Sequence, residues 1–270
     1  MAKPRTLVLT GYGINCDDET RYAFEKAGSV AEIVHINDLI EDPSRLDNTE
    51  IFMFPGGFSY GDDTGSGKAL ANRIKNNLSE ELQRFVERDT LMLGICNGFQ
   101  VMTNIGVIPA FDQPFGKIEV ALEHNASSRY QCRWVDLKIE KDSPSVFTRG
   151  LESMHIPVAH GEGNFVADEK TLSRLEENSM VTMRYVKPDG SAAEGDFPFN
   201  PNGAMNDIAA ICDKSGRIMG MMPHPERGMF FSQRDDWTAI KEEYSRAGKE
   251  IPEESDGIRI FNNAVEYFSN

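Results

Sequence analysis

The chain has 270 residues, 40% of them hydrophobic and 26% charged, and a formal net charge of −15. This composition is typical of a globular protein with a sizeable core, and the acidic excess argues against general affinity for nucleic acids or anionic membranes. No apolar run is long enough to span a membrane, and the first residues lead into a strand without a signal-peptide core. The 4 cysteines form no CxxC pair, so we expect free thiols and a cytoplasmic protein.

The first half of the sequence alternates short apolar strands with helices. Strands are predicted at 6–10, 31–36, 51–54 and 91–95, and helices at 17–27, 67–77, 79–88 and 99–105. Acidic residues open the first helix and Gly28 ends it. This alternation predicts an α/β fold with a doubly wound, mainly parallel sheet of the flavodoxin-like kind.

The second half has a different pattern. Polar and apolar residues alternate over 132–139 and 180–186, as in half-exposed antiparallel strands, and the runs 208–212 and 217–222 flank a DKSG turn typical of a hairpin. Two further helices are predicted near 236–247 and 257–268. We therefore expect one domain over residues 1–270, with antiparallel β insertions in its second half. A C-terminal helical extension, about 228–270, is expected to pack on that domain.

Cys96 is the first candidate for chemistry. It lies in GICNG at 94–98, between a predicted strand and a predicted helix. A glycine two residues away on each side is typical of a nucleophile elbow, and the N-terminus of the following helix favours a thiolate. The backbone N–H of Asn97 would be an oxyanion donor. On the motif alone, a buried core cysteine is an open alternative.

His224 is the candidate base. The prolines on both sides of it, in PHPE at 223–226, hold the backbone extended. Glu226 lies two residues further on and therefore faces the same side. A carboxylate beside an imidazole fixes its tautomer and stabilises its charged form, as in a catalytic triad. A proline-rich surface turn is the alternative interpretation.

The segment PGGFSYGDD at 55–63 follows the third predicted strand. Tandem glycines at the carboxyl end of a strand let a ligand approach the backbone, so Gly57 N–H is a candidate for the second oxyanion donor. A plain flexible loop is the alternative, and we interpret Asp62 and Asp63 as loop or helix-cap residues rather than a magnesium site.

Two other patterns predict no site. The GxG at 11–13 lacks a third glycine, because Cys16 occupies that place, so dinucleotide binding is not expected. His155, His160 and Glu162 form neither an HExxH motif nor a cysteine cluster. We therefore predict no metal in this chain.

Taken together, these motifs resemble a known family. The segment GICNGFQ at 94–100 is similar to the nucleophile motif of class I (triad) glutamine amidotransferases. More specific similarity, to the glutaminase subunits of phosphoribosylformylglycinamidine synthases, runs from about Leu7 to Arg227. It is carried by FPGGFSYGD at 54–62, RWV at 133–135, HGEG at 160–163, NPNG at 200–203 and MMPHPER at 221–227.

The resemblance implies a role for each candidate residue. Cys96 would attack the side-chain amide of glutamine, His224 would accept the thiol proton and return it to the departing ammonia, and Glu226 would orient His224. Water would then hydrolyse the glutamyl thioester to glutamate. The family pattern assigns the oxyanion donors to Gly57 and Asn97, and matches a contact with substrate glutamine to Gln100.

The resemblance also implies partners. Ammonia would pass to a large synthase subunit, which uses ATP and Mg²⁺ to convert formylglycinamide ribonucleotide to formylglycinamidine ribonucleotide in purine synthesis, and a small bridging subunit would join the complex. No cofactor is implied for this chain. The segment after Arg227 is longer than we expect of a separate subunit.

Three alternatives stay open at this point. The chain could be an amidotransferase subunit of a different synthase, a stand-alone cysteine hydrolase, or a non-enzymatic regulatory or scaffolding subunit. The first shares the triad and differs only in its partner. The last has no need of a complete triad, which this chain has.

Overall fold

A mixed, nine-stranded sheet organises the fold. We describe a computed structural model that covers residues 3–112 and 115–269. The strands are β1 (Arg5–Thr10), β2 (Val30–His35), β3 (Ile51–Phe54), β4 (Leu91–Ile95), β5 (Ala121–His124), β6 (Gln131–Ile139), β7 (Ser153–His160), β8 (Glu162–Val166), β9 (Val181–Val186), β10 (Ile208–Cys212) and β11 (Ile218–Met221). The helices are α1 (Asp17–Ala27), α2 (Ile36–Glu41), α3 (Lys68–Glu87), α4 (Asn97–Ile105), α5 (Glu169–Glu177), α6 (Trp237–Arg246) and α7 (Ile258–Glu266).

Half of the sheet is parallel. The order is β2-β1-β3-β4-β11-β10-β9-β6-β7, and the pairs from β2 through to β11 are all parallel. Every residue of β3 and β4 is buried, and helix α4 packs against both strands. Parallel strands covered in this way are typical of α/β proteins, and the predicted fold class is confirmed.

The other half of the sheet is antiparallel. Strands β11, β10, β9, β6 and β7 follow one another with antiparallel pairing, which confirms the predicted insertions and the β10–β11 hairpin. Asp213 shapes the hairpin turn by accepting hydrogen bonds from the N–H groups of Ser215 and Ile218. The sequence analysis did not predict β5, β7, β8, α2 or α5. Strand β7 contains Pro157, which is tolerated because β7 is an edge strand.

One prediction about the helices is wrong. We expected two helices, at 67–77 and 79–88, and the structure has the single helix α3. Its buried stripe continues at helical spacing through Leu78 and Leu82. Ser79 does not break the helix, because its hydroxyl donates to the carbonyl of Lys75 one turn back.

The C-terminal segment packs on the rest of the chain. The Phe261 ring of α7 meets the Phe24 ring of α1 edge to face at 5.0 Å, and both side chains are buried. Gly257 N–H donates to Gly228 O at 3.0 Å, which ties the start of α7 to the loop after β11. These contacts support the proposal that the segment after 228 is an extension of one domain. Within the described residues, no helix has the length and apolar character needed to cross a bilayer.

Candidate active site

The sheet brings four loops to one edge. Strands β1, β3, β4 and β11 are parallel, so their carboxyl ends lie together, where open α/β sheets bind ligands. Met221 of β11 pairs with Ile95 of β4, and Cys96 N–H donates to Met221 O at 2.8 Å. This register places His224, three residues after Met221, beside Cys96.

Cys96 lies on a strained turn between β4 and α4. Its backbone has a φ of 50° and a ψ of −108°, which is costly for any residue except glycine. The turn also brings two backbone segments together, because a Cβ at Gly98 would lie 1.8 Å from Phe54 O. The structure therefore has the strand–turn–helix geometry that the glycine spacing predicted. The side chain is buried, and its Sγ lies 3.8 Å from Ala159 O.

His224 and Glu226 form a buried pair. Nδ1 of His224 and Oε1 of Glu226 are 2.5 Å apart, and each residue is only 1% exposed. The backbone of His224 is held by a 2.7 Å hydrogen bond from its N–H to Pro157 O of β7. Burial opposes the imidazolium, but the negative charges of Glu226 and Cys96 outweigh it, so the pKa of His224 is well above its usual value.

A second thiol lies at this site, and the sequence analysis missed it. A Cβ at Gly56 would lie 2.8 Å from Cε1 of His224, 3.0 Å from Sγ of Cys16 and 3.5 Å from Cβ of Cys96, so these three side chains converge on one point. Arg227 donates to the Cys16 sulfur at 2.9 Å, and burial raises the pKa of this thiol. Its position in the sequence could have identified it, since Cys16 lies in the loop that follows the carboxyl end of β1.

Two clusters in the described residues contain metal-ligand side chains. The first cluster is Cys16, His224 and Glu226, and the second is His155, Asp235 and Asp236. Within each cluster the candidate ligand atoms lie within 4.8 Å of one another. In the first cluster the guanidinium of Arg227 already contacts the thiol. In the second, the two ring nitrogens of His155 are hydrogen-bonded to Asp136 and Asp235. Both clusters are hydrogen-bonded within the protein, so we assign a metal to neither.

Two of the other predicted site residues line a cavity that contains Cys96. The cavity has a volume of about 450 Å³, within the range of small-molecule sites, and Gly57 and Gln100 are in its wall. Asn97 is fully buried, and its side chain donates to Gln100 Oε1 at 2.9 Å and accepts from Ser59 N–H at 3.3 Å. Its backbone N–H is at the first position of α4, where a helix offers no internal acceptor.

Three residues that we had set aside also line this cavity. They are Asp62, His160 and Glu162. We interpreted Asp62 as a loop or helix-cap residue; it lies between β3 and α3, where burial raises the pKa of its carboxyl. Glu162 accepts from Ser66 N–H at 3.2 Å, and its own carbonyl accepts from the side chain of Gln100. The HGEG segment was the available signal, but its distance from Cys96 in the sequence hid the connection.

Comparison with known proteins places the chain in a family. A profile of the CobB/CobQ-like glutamine amidotransferase domain matches residues 3–268. The phosphoribosylformylglycinamidine synthase subunit PurQ of Methanococcus maripaludis is 53% identical over 267 residues, which cover 98% of each chain. The PurQ subunit of Dehalococcoides mccartyi is 45% identical over 267 residues, covering 99% of this chain and 98% of the relative.

A solved structure agrees with these relatives. A chain in the structure of PurLQS from Thermotoga maritima matches with a TM-score of 0.69 and 30% identity, covering 99% of this chain and 100% of that one. Because the alignment with the Methanococcus maripaludis subunit covers almost all of both chains, the segment after Arg227 is part of the shared length. The chain therefore belongs to the CobB/CobQ-like glutamine amidotransferases and, within them, to the PurQ subunits of phosphoribosylformylglycinamidine synthase.

Proposed function

We propose that this chain is the glutaminase subunit of a phosphoribosylformylglycinamidine synthase. It hydrolyses glutamine to glutamate and ammonia, and the ammonia passes to a synthase subunit that converts formylglycinamide ribonucleotide to formylglycinamidine ribonucleotide. The observation that carries the proposal is Cys96 on its strained turn beside the buried His224–Glu226 pair. A thiol, an imidazole and a carboxylate in this arrangement suit acyl transfer through a covalent intermediate.

The charges of the pair define the first half of the reaction. The raised pKa of His224 favours an imidazolium, which stabilises a neighbouring thiolate. The Cys96 sulfur attacks the amide carbon of glutamine and forms a tetrahedral intermediate. When that intermediate collapses, the C–N bond breaks and His224 gives its proton to the departing ammonia, which leaves a glutamyl thioester on Cys96.

The second half returns the enzyme to its starting state. Neutral His224 takes a proton from water, the resulting hydroxide attacks the thioester carbon, and glutamate leaves as the Cys96 thiolate is restored. The N–H groups of Gly57 and Asn97 are proposed to stabilise the oxyanion of both tetrahedral intermediates. Removing one such donor typically lowers kcat by about 10²–10³-fold. Gln100, in the cavity wall, is proposed to contact the substrate.

The proposal includes partners and a location. A large synthase subunit and a small bridging subunit would complete the enzyme, as the PurLQS complex of the structural relative suggests. ATP and Mg²⁺ would be bound by the synthase subunit. We propose a cytoplasmic location, which the free thiols of all the cysteines support.

Substitution of the nucleophile tests the proposal. In the assembled synthase, Cys96→Ala should abolish glutamine-dependent formation of the amidine, while synthesis from added ammonia survives. Cys132→Ala is the matched control, because Cys132 is also a free cysteine but is exposed. It should leave both activities unchanged. Glutamine-dependent synthesis that persists in Cys96→Ala would rule out this role for the chain's thiol.

A further inference from the structure

His160 is a buried histidine that the reaction outlined above does not use. It ends strand β7, is only 2% exposed and lines the same cavity as Cys96. Within the described residues, its Nε2 has no hydrogen-bond partner. Buried polar atoms without a partner are rare, so this nitrogen needs an explanation.

Asn125 fixes the tautomer of the His160 ring. Its amide nitrogen donates at 2.9 Å to two carbonyl oxygens, those of Arg129 and His160. The amide oxygen of Asn125 must therefore be the acceptor, and it takes Gly163 N–H and His160 Nδ1–H, both at 3.1 Å. Because Nδ1 carries the proton, Nε2 presents a lone pair.

This lone pair is permanent at neutral pH. Burial, reinforced by the positive charge of His224, lowers the pKa of His160 to about 3. The ring is thus a fixed, neutral acceptor that cannot become a donor under ordinary conditions. Such a group needs an N–H or O–H donor, and the cavity is where a ligand can supply one.

The position of His160 indicates which donor it meets. The carbonyl of the preceding residue, Ala159, lies 3.8 Å from the Cys96 sulfur, so His160 is near the nucleophile. A cationic α-ammonium group is matched better by carboxylates, and those of Asp62 and Glu162 line the same cavity. The donor that a glutamine presents next to Cys96 is the NH₂ of its side-chain amide.

We propose that His160 Nε2 accepts a hydrogen bond from the side-chain amide of the substrate, and that this contact selects glutamine over glutamate. The amide supplies the N–H that Nε2 lacks. The γ-carboxylate of glutamate has no hydrogen at neutral pH and would set its own lone pairs against that of His160. The inference rests on the proposed function and deepens it, because the same atom would favour binding of substrate and release of product.

The test compares glutamine and glutamate in the assembled synthase. We would measure the KM for glutamine and the inhibition constant of glutamate for the wild type, His160→Leu and His160→Gln. Leucine fills the site without an acceptor, and the amide oxygen of glutamine restores one. His155→Leu is the matched control, because His155 is a histidine of the same strand, β7, but lies outside the cavity wall.

We expect His160→Leu to raise the KM for glutamine about tenfold or more, since a site built for a donor rejects ligands when the pairing is lost. The inhibition constant of glutamate should stay constant or fall, because the repulsion is removed, and His160→Gln should recover part of the discrimination. His155→Leu should leave both constants at their wild-type values. Equal changes for both ligands, or no change, would overturn the inference.

Two further measurements separate the possible failures. Ammonia-dependent synthesis and the thermal unfolding midpoint show whether each variant is folded. If His160→Leu does not fold, the ratio of the glutamate inhibition constant to the glutamine KM in His160→Gln decides. A ratio below the wild-type value supports the inference, and an unchanged ratio overturns it. If the wild type releases no glutamate from glutamine, the proposed function itself is wrong.

Discussion

Two buried histidines of the site have opposite charge preferences. His224, after β11, and His160, at the end of β7, are 1% and 2% exposed. The pKa of His224 is raised well above its usual value, whereas that of His160 is lowered to about 3. Burial opposes the imidazolium in both cases, so burial alone does not explain the difference.

The hydrogen-bond partner of Nδ1 explains why the two pKa values differ. In His224 this nitrogen meets the carboxylate of Glu226 at 2.5 Å, and in His160 it meets the amide oxygen of Asn125 at 3.1 Å. A carboxylate compensates the cost of a buried positive charge, while a neutral amide only fixes the tautomer. The same side chain therefore has two different properties in the two regions: the imidazole of His224 favours the charged form, and that of His160 is a fixed neutral acceptor.

Giving His224 an amide partner should have the largest effect. Glu226→Gln removes the main cause that raises the pKa of His224, so the imidazolium is lost at a lower pH. We expect glutamine-dependent kcat to fall by about 10²–10⁴-fold, as for a triad whose acid becomes an amide. In the pH–rate profile of the residual activity, the alkaline limb should move to lower pH. Ammonia-dependent synthesis is the control, and an alkaline limb that stays in place would contradict the role of Glu226.

The reverse exchange, Asn125→Asp, should have a smaller effect. A carboxylate beside Nδ1 raises the pKa of His160, so Nε2 gains a proton and becomes a donor as the pH falls. The KM for glutamine should then increase on acidification, whereas that of the wild type stays flat. The variant also leaves two carbonyls without their donors, which costs about 1–3 kcal/mol of stability.

Asn178→Asp is the matched control for this exchange. Asn178 also donates its amide to a carbonyl, that of Arg174, but it lies at the end of α5 and outside the cavity wall. It should lose stability without any pH dependence of the KM. If the KM for glutamine depends on pH in the same way in both variants, the effect of Asn125→Asp does not come from the charge of His160.

The sequence predicted one of these two regions and missed the other. Cys96 and the His224–Glu226 pair were identified because their constraints are local. Glycines around Cys96 permit a tight turn, and prolines around His224 hold an extended segment. His160 depends on Asn125, which lies 35 positions away, and no local pattern joins the two. Cys16 was missed for the same reason, since only the sheet brings the loop after β1 to the loop after β11.

The fold shows the same division. The strands β1 to β4 of the parallel first half were all predicted, because they are short, mostly apolar and separated by helices. The sequence pattern of β10 and β11 predicted a hairpin, but it did not reveal that β11 also pairs in parallel with β4. That pairing depends on long-range packing, and it is what places His224 beside Cys96.

A third histidine extends the comparison to a partly exposed site, where the expected effect is smallest. Nδ1 of His155 lies 2.8 Å from Asp136 of β6, and Nε2 lies 2.9 Å from Asp235, just before α6. Burial and the nearby Arg234 lower its pKa, but the two carboxylates outweigh them and raise it. The resulting stabilisation is present in full below the unfolded pKa of about 6.5 and disappears as the pH rises through the folded value.

His155→Gln should therefore lower the free energy of unfolding by about 0.5–1 kcal/mol on the acidic side, because Asp235 is more than half exposed and solvent weakens the pair. The difference from the wild type should shrink as the pH rises, in denaturant titrations at a series of pH values. His124→Gln is the control, since His124 is mostly exposed. The ring of Trp134 also stacks on that of His155, with the ring centroids 5.1 Å apart. A difference in the free energy of unfolding that is the same at every pH would mean that this packing, and not the charge of His155, accounts for the stabilisation.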